Sequence, residues 1–255
     1  MQKGFLSKCM DQLMHCPNSW TKWLHNPPGI RALRNLPKGA KVLDVGCYGF
    51  RQVEISKLNG RLDLLHHGLD HPQAGIEHVP ESFVFRTCDI ETEPFPFSDA
   101  MFDYVVASHV LEHVRDPIRL LKECARVSKP GGLISIETPS ERSVMLPGFP
   151  FQHDKFMSLS FYDDPTHNGR PWTSQGLYRL AKSMGMTDIS VSYDWNLLVA
   201  IGSPILLPLF WLVGEARAFQ YVVWKSVGWN VRLLARRPTP NNASEEFRYF
   251  IPHRS

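Results

Sequence analysis

Short apolar runs alternate with stretches of helical spacing along the first half of the chain. The runs end in turns or acidic residues, and a helical face over residues 120–127 precedes a Pro-Gly-Gly turn. A run that is apolar at nearly every position is typical of a parallel strand buried on both faces. Alternation of such strands with helices predicts an α/β sheet with helices on both sides. The predicted strands cover residues 42–47, 65–70, 83–90, 101–108 and 133–136.

The first predicted strand contains an acidic residue and ends in a glycine. Asp44 interrupts an otherwise apolar run, and Gly46 follows at its carboxyl end. A glycine there lets the backbone turn tightly against a ligand. Dinucleotide-binding dehydrogenases use three spaced glycines and need no acid before the first one. A carboxylate at this turn would repel a phosphate, so it indicates a ligand with an ammonium or sulfonium group.

Two further strands also end in acids. Asp70 closes the second strand, at a distance from Gly46 that fits one intervening helix, and Asp89 closes the third. An acid at the end of the second strand is placed to accept both hydroxyls of a ribose. The sequence therefore predicts a nucleoside-containing ligand along this edge of the sheet.

These segments, in this order, resemble class I S-adenosylmethionine-dependent methyltransferases. Val42-Leu43-Asp44-Val45-Gly46-Cys47 is similar to the family's first motif, and residues 102–113 are close to its FDxVxxxxVLEH pattern. Lys129-Pro130-Gly131-Gly132 before a β-branched run is also typical of the family. The chain departs from the first motif at Tyr48 and Phe50, where the family has glycines.

The resemblance implies a Rossmann-like, doubly wound sheet of seven strands, mostly parallel with an antiparallel last strand, together with a helical cap and an inserted lid. It implies S-adenosylmethionine as cofactor, with Asp89 accepting from the adenine amino group and the Ile90 amide contacting the ring. We expect a cap at 1–36, a methyltransferase domain at 37–238 with insertions at 140–175 and 195–225, and a tail at 239–255. The predicted cofactor-binding residues are Asp44, Gly46, Cys47, Tyr48, Gly49, Asp70, Asp89, Ile90, Ser108 and His109.

The acceptor site is expected in the insertion after the fifth strand, because such an insertion lies over the carboxyl ends of the sheet. Its Asp164-Pro165-Thr166-His167 segment resembles one found in many bacterial methyltransferases, and Thr173 or Ser174 is placed to cap the helix that follows. His167 is one predicted general base, although its ring can equally tie the loop to a backbone carbonyl. His113, placed one helical turn after His109, is the other. His153 and Asp154 are weaker candidates.

Composition adds limits to the function. The chain has 255 residues, 28 Lys and Arg against 25 Asp and Glu, and a net charge of +3, so nothing favours a nucleic-acid partner. Met1 to Cys16 carries charges and no continuous apolar core, which argues against a secretory signal and for a cytoplasmic protein. The five cysteines have no paired metal-ligand spacing, and no metal site is predicted.

A charge-free apolar segment at residues 195–214 is the second unusual feature. Three interpretations stay open: a membrane span, a buried helical hairpin, and a lid that touches a membrane surface or a lipid-linked acceptor. The last strand is predicted at residues 228–235, which argues against a span. The tryptophans and basic residues around the segment would suit contact at the inner face of a membrane: Trp211, Trp224, Trp229, Arg217, Lys225, Arg232, Arg236 and Arg237.

The function predicted from the sequence is a methyltransferase that O-methylates a small-molecule, glycan or lipid-linked acceptor. Adenine and amide acceptors are disfavoured, because no Asn-Pro-Pro-aromatic segment follows the fourth strand. One alternative is an inactive binding or assembly protein of the same fold, since Tyr48 and Phe50 replace glycines. A nicotinamide oxidoreductase is a third hypothesis, weakened by Asp44. The oligomeric state stays open.

Overall fold

The computed structural model describes residues 27–76, 78–149 and 158–239. The strands are β1 (Lys41–Val45), β2 (Leu65–Asp70), β3 (Phe83–Thr87), β4 (Phe102–Ser108), β5 (Ser128–Pro139), β6 (Thr187–Tyr193) and β7 (Asn230–Arg236). The helices are α1 (Pro28–Arg34), α2 (Arg51–Leu58), α3 (Pro117–Val127), α4 (Ser174–Ser183), α5 (Leu197–Leu212) and α6 (Ala216–Val227), with 3-10 turns at Pro72–Ala74, Glu141–Met145 and Phe161–Asp163.

The seven strands form one sheet in the order β3-β2-β1-β4-β5-β7-β6. Neighbouring strands from β3 to β5 pair in parallel, and β7 runs antiparallel to both β5 and β6. The predicted Rossmann-like architecture is confirmed. The order reverses between β1 and β4, and ligands of open α/β sheets bind in the crevice at such a reversal.

Apolar residues on both faces of the sheet form the core. Alternate residues of one strand face opposite sides, so Leu43 and Val45 pack in the larger cluster while Val42 packs with Ile30 and Leu33 of α1 on the other side. Burial on both faces explains why β1 reads as a continuous apolar run, and it leaves Asp44 as a buried carboxyl in the middle of the sheet.

Several element boundaries differ from the sequence prediction, and so does the segment after β4. β3 ends at Thr87, two residues before Asp89, and β7 begins at Asn230 rather than at residue 228. The expected helix after β4 is absent from the described residues, where 111–113 form a turn. His109 has a φ of 57°, a left-handed conformation that ends the strand and reverses the chain, so His109 and His113 do not lie one helical turn apart.

The apolar segment folds into α5 and α6, which pack against each other. The interpretation as a buried hairpin is wrong for α5, in which no residue is buried, whereas α6 buries Ala218, Val222 and Lys225. Within the described ranges, no helix combines the length and apolar character that a membrane crossing requires. Most of the predicted cap, the tail from residue 240, His153 and Asp154 lie outside the described residues.

Candidate active site

A cavity of about 460 Å³ opens at the carboxyl ends of β1, β4 and β5. Asp44, Gly46 and Tyr48 line it near the first turn, and His113 and His167 line it from the loops above the sheet. Helix α6 contributes a further part of the wall through Gln220, Tyr221, Trp224 and Lys225. The fold thus brings the predicted cofactor turn and the predicted acceptor histidines to one space.

Asp44 is the buried anion of this cavity. Its side chain is only 5% exposed, and it accepts a hydrogen bond from the Gln52 backbone. Burial, reinforced by the nearby Asp70 carboxylate, raises the pKa of Asp44 well above its ordinary value. The surroundings therefore do not compensate its negative charge, and a cationic ligand group would do so.

The turn after β1 depends on Gly46. Its φ is +73°, and a Cβ at this position would lie 2.6 Å from the Val110 methyl group. The Gly46 and Cys47 amides both donate to the Leu69 carbonyl, at 2.9 and 3.2 Å, so the turn is fixed to β2. No other residue fits this position without movement of Val110.

Phe50 holds a left-handed conformation, with φ at 51°, at the residue before α2. A glycine would adopt this conformation without strain. The phenylalanine ring compensates by packing edge-on against Phe83, with 4.8 Å between ring centroids. The departure from the family's glycine pattern thus keeps the turn and adds a contact to β3.

The remaining predicted cofactor residues divide into two groups. Ser108 and His109 line the cavity, as Tyr48 does. Five predicted residues are not among the cavity-lining ones: Cys47, Gly49, Asp70, Asp89 and Ile90.

Three of these five residues have contacts or burial outside the cavity lining. Asp70 accepts from the Tyr48 and His71 amides, at 2.9 and 2.8 Å. Asp89 accepts from the Glu91 amide at 3.0 Å and the Thr92 hydroxyl at 2.8 Å. The Cys47 thiol is buried, and desolvation raises its pKa to about 12, as expected for an inert core cysteine.

His113 and His167 lie next to each other on the acceptor side, with 5.0 Å between ring centroids. His113 Nδ1 is 3.1 Å from the Thr166 carbonyl, and His167 Nδ1 is 2.6 Å from the Phe161 carbonyl. Because a carbonyl oxygen only accepts, both Nδ1 atoms donate, and in the neutral tautomer of each ring Nε2 is the accepting nitrogen. His167 therefore does tie its loop to a carbonyl, and its Nε2 lies 3.4 Å from Asp164 Oδ2.

A buried network of charges forms the floor of the cavity beside β7. The Arg232 guanidinium bridges Glu137, at 2.7 Å, and Asp194, at 2.8 Å, and Lys225 also contacts Asp194. Burial opposes ionisation of Glu137, but Arg232 holds the pKa of this carboxyl well below its usual range. Burial lowers the pKa of Lys225 to about 8, although Asp194 favours its charged form.

The sequence did not predict this charge network, and two of its basic residues were expected in another environment. Lys225 and Arg232 were expected at a membrane interface, yet Lys225 is buried and the Arg232 side chain is only 16% exposed, and both contact carboxylates. Their partners lie about 30 to 95 positions away along the chain. Only Asp194 carried a usable signal, as an acid directly after a strand.

Trp224 and Trp229 are also placed differently from the interface prediction. The two rings stack at 4.1 Å, and the His109 ring lies 5.9 Å from Trp224 and 6.0 Å from Trp229. His109 Nδ1 contacts Glu112 at 3.0 Å. Burial alone would lower the pKa of His109, but Glu112 and Glu137 together raise it. Arg236 and Arg237 instead donate to backbone carbonyls of the β5 region, at Gly131 and Ser128.

The residues at the β1 turn fit a ligand of the S-adenosylmethionine type. Asp44 offers a buried, uncompensated carboxylate for the ligand's positive groups, and Gly46 leaves the backbone without a side chain at the cavity wall. The fit is less direct at Asp70 and Asp89, whose oxygens already accept backbone and hydroxyl donors. Each carboxylate retains further lone pairs for a second donor.

Comparison with known proteins agrees with this geometry. The model of a methyltransferase domain family matches residues 25–191. The chain belongs to this methyltransferase family. The resemblance to class I S-adenosylmethionine-dependent methyltransferases is therefore confirmed, and so is S-adenosylmethionine as the cofactor of the family.

Relatives of this methyltransferase match it only in part. A probable S-adenosylmethionine-dependent methyltransferase of Mycolicibacterium smegmatis is 33% identical over 114 residues, which are 43% of this chain and 42% of that protein. A ubiquinone biosynthesis O-methyltransferase of Coxiella burnetii is 34% identical over 106 residues, 40% of this chain and 44% of the relative. The chain thus spans less than half of the length of the curated relatives it matches.

Solved structures share the fold of the methyltransferase. A putative methyltransferase in complex with the Trm112 activator of Haloferax volcanii has a TM-score of 0.56 at 17% identity, covering 91% of this chain and 93% of the other. A SAM-dependent methyltransferase of Archaeoglobus fulgidus has a TM-score of 0.54 at 20% identity, covering 82% and 89%. At this identity the likeness concerns the fold alone.

Proposed function

We propose that the protein transfers a methyl group from S-adenosylmethionine to a hydroxyl of a small-molecule, glycan or lipid-linked acceptor. The observation that carries the proposal is the shared cavity, which has the buried Asp44 carboxylate at one end and two histidine Nε2 lone pairs at the other. The cofactor supplies a methyl group already activated on a sulfonium. The protein then has to hold the acceptor in line and exclude water, a contribution that reaches about 7–11 kcal/mol.

The residues at the β1 turn would hold the donor. Asp44 would bind a positive group of the cofactor, and the Gly46 turn would let the backbone approach it. Tyr48 is 73% exposed at the cavity rim, where its ring is free to cover the ligand. The stacked rings of Trp224 and Trp229 also line the cavity and would exclude water from the acceptor.

The histidines favour a hydroxyl acceptor. A hydroxyl must lose its proton as it is methylated, and a lone pair on His113 or His167 is placed to accept a hydrogen bond from it. General-base assistance of this kind contributes about 10²–10⁴-fold. The ubiquinone biosynthesis O-methyltransferase among the relatives supports the same acceptor atom, although it matches only part of the chain.

The alternative is a protein of this fold that binds the cofactor without methylating a substrate. The substitutions at Tyr48 and Phe50 motivated it, yet Phe50 preserves the turn through its packing on Phe83. The uncompensated Asp44 carboxylate and the two histidines that line the same cavity favour an active enzyme.

The acceptor atom is tested with S-adenosylmethionine labelled in its methyl group. The probes are a prenylated catechol, the diamine that matches it and a bacterial lipid extract. The variants are His113→Ala and His167→Ala, and the control is His78→Ala, which changes an exposed histidine outside the cavity. We expect label on the catechol or on a hydroxyl of the extract, and about 10²-fold or greater loss in the two cavity variants only. Label on the diamine alone would contradict O-methylation. Cofactor binding without any transfer would favour the non-catalytic alternative.

We further propose that α5 rests on a membrane surface near the acceptor. Its exposed face consists of apolar side chains, among them Ile201 at 66%, Ile205 at 76% and Leu212 at 81% exposure. Residues 195–214 carry no formal charge, and the neighbouring α6 lines the cavity with Tyr221 and Trp224. A lipid bilayer is the occupant that this arrangement fits, because an acceptor with a lipid tail would then approach the cavity beside α6.

A further inference from the structure

Three metal-ligating side chains converge beside the cavity. Glu112, His113 and His167 each offer one ligand atom, and these atoms all lie within 4.8 Å of one another. Two of the side chains come from the turn after β4, and the third comes from the insertion more than fifty positions later. All three line the cavity, so a ligand bound there would be accessible to an acceptor.

The histidines are oriented as metal ligands are. A metal-binding histidine almost always donates its other ring N–H to a carbonyl or carboxylate, which fixes the ring. His113 and His167 do this through Nδ1, to the Thr166 and Phe161 carbonyls. The Thr166 hydroxyl donates to Asp164 at 2.6 Å and is thus left as a second acceptor for His113.

The second nitrogen of the His167 ring lies beside a buried carboxyl group. His167 Nε2 is 3.4 Å from an oxygen of Asp164, a residue that is itself only 5% exposed. Glu112 is fully buried, and its oxygens accept from His109 and Thr138. Among the described residues, no lysine or arginine forms an ion pair with Glu112 or Asp164. Glu112 already contacts the His109 ring, so a cation bound here would chiefly compensate Asp164 and complete the contacts of the two Nε2 atoms.

We propose that Glu112, His113 and His167 bind a first-row divalent metal ion, with Asp164 as a neighbouring carboxylate. Two imidazoles and one carboxylate form a set that binds Zn²⁺ or Fe²⁺, whereas Mg²⁺ prefers oxygen ligands. Tetrahedral ligands at about 2.1 Å from zinc are roughly 3.4 Å apart, so ligand atoms that lie within 4.8 Å of one another would approach by up to about 1.4 Å. Cysteine spacing carries no signal for this site, because its ligands are a carboxylate and two histidines from distant segments.

The metal ion would change how the acceptor is activated. This step rests on the proposed function: the acceptor hydroxyl would bind the ion, and its proton would be lost to solvent more readily because the ion lowers the hydroxyl pKa. The oxygen would then carry the electron pair that forms the new bond to the methyl carbon, while the sulfonium leaves as a neutral thioether. In the metal-bound protein His113 and His167 would act as ligands, and the ion would replace the general-base assistance that the proposed function assigns to the metal-free rings.

The site is tested by titrating chelator-treated full-length protein with Zn²⁺ in a calorimeter, followed by the visible spectrum with Co²⁺. The variants are His113→Gln, His167→Gln and Glu112→Gln, and the control is His78→Ala, which changes an exposed histidine outside the cavity. We expect the unaltered protein to bind one Zn²⁺ ion per chain, and each cavity variant to bind Zn²⁺ about 10–100-fold more weakly. The Co²⁺ complex of the unaltered protein is expected to absorb in the visible range and to lose that absorption when excess Zn²⁺ is added.

The outcomes separate this proposal from the proposed function. Failure to bind Zn²⁺ stoichiometrically, or unchanged binding in the cavity variants, would overturn the metal site. Titration of the same preparations with S-adenosylhomocysteine provides the second readout. Binding of this compound without Zn²⁺ binding would refute the metal site alone, and Zn²⁺ binding without it would refute the cofactor assignment alone.

Discussion

At the scale of single residues, Gly46 combines a left-handed backbone with a crowded position for a Cβ atom. Alanine there would hold φ at +73° and place its Cβ 2.6 Å from Val110. Gly60 provides the matched control, since its φ is +70° and nothing lies within 4 Å of an added Cβ. The left-handed conformation itself costs about 1–2 kcal/mol in either variant.

We therefore expect Gly60→Ala to lower the free energy of unfolding by that backbone strain alone and to leave the affinity for S-adenosylhomocysteine unchanged. Gly46→Ala should lose more stability and bind the compound at least about tenfold more weakly, a cost of about 1.4 kcal/mol. Chemical denaturation and calorimetry measure both quantities. Equal affinity in the two variants would show that the turn does not approach the cofactor.

The raised pKa of Asp44 predicts that cofactor binding releases a proton. Burial and Asp70 raise its pKa, and a cationic ligand would lower it again, so binding should release a proton where free Asp44 is partly protonated. Affinity for S-adenosylhomocysteine should then rise with pH across that range. Calorimetry in two buffers with different ionisation enthalpies detects the released proton, and Asp44→Asn should abolish it. Persistence of the release in Asp44→Asn would assign it to another group.

At the scale of elements, α5 has an exposed apolar face on which no other described element packs. We expect the protein to float with vesicles of phosphatidylethanolamine and phosphatidylglycerol, and Ile205→Glu with Leu209→Glu to abolish flotation. The control is Leu62→Glu with Met145→Glu, which changes two side chains that are 78% and 86% exposed elsewhere. Absence of flotation in the unaltered protein would refute membrane contact. A dimer broken only by the α5 variant would assign the face to a second copy.

The elements show which parts of the fold a sequence can predict. The strands β1 and β4 were predicted because burial on both faces leaves a nearly continuous apolar run. β2, with two histidines and a glycine, was predicted from its terminal acid and its distance from Gly46. Thr173 was predicted as a cap of α4, and its hydroxyl accepts from the Gly176 amide at 2.9 Å. The turn at 111–113 was not predicted, because VLEH has good helical spacing and the left-handed backbone at His109 leaves no mark in the sequence.

The residues of the candidate site likewise divide into those that the sequence predicts and those that it does not. Asp44 and Gly46 were predicted because an acid and a glycine stand out in an apolar strand. The pairing of Glu137 with Arg232, and the convergence of Glu112 with His167, were not predicted because these residues are distant in sequence. Such contacts depend on how the insertion and β7 fold back over the sheet, and no local pattern specifies that.

At the scale of the whole molecule, the network around Lys225 links α6, β5, β6 and β7, and it predicts a dependence of stability on pH. The native state holds the Lys225 proton less tightly than the unfolded chain, with a pKa of about 8 against an ordinary value of 10.5. The unfolded state therefore binds more protons between these values, and Lys225 makes stability rise with pH across this window. Buried thiols such as Cys124 oppose the rise, since their pKa is raised to about 12.

The contribution of Lys225 is isolated by comparing variants. Urea unfolding of the unaltered protein, Lys225→Met and the exposed-lysine control Lys122→Met is measured from pH 7 to pH 10.5. The unaltered protein should gain up to roughly 3 kcal/mol relative to Lys225→Met over this range. The control should follow the unaltered protein. A constant difference between the unaltered protein and Lys225→Met would refute the depressed lysine pKa.

The central claim is that the cavity beside Asp44 holds S-adenosylmethionine, and calorimetric titration with S-adenosylhomocysteine tests it most directly. The unaltered protein and Asp188→Asn, which changes an acid with a side chain 74% exposed, should bind one molecule per chain in the micromolar range. Asp44→Asn should bind at least about tenfold more weakly, a loss of about 1.4 kcal/mol. Failure of the unaltered protein to bind, or equal binding by Asp44→Asn, would contradict the assignment of this cavity.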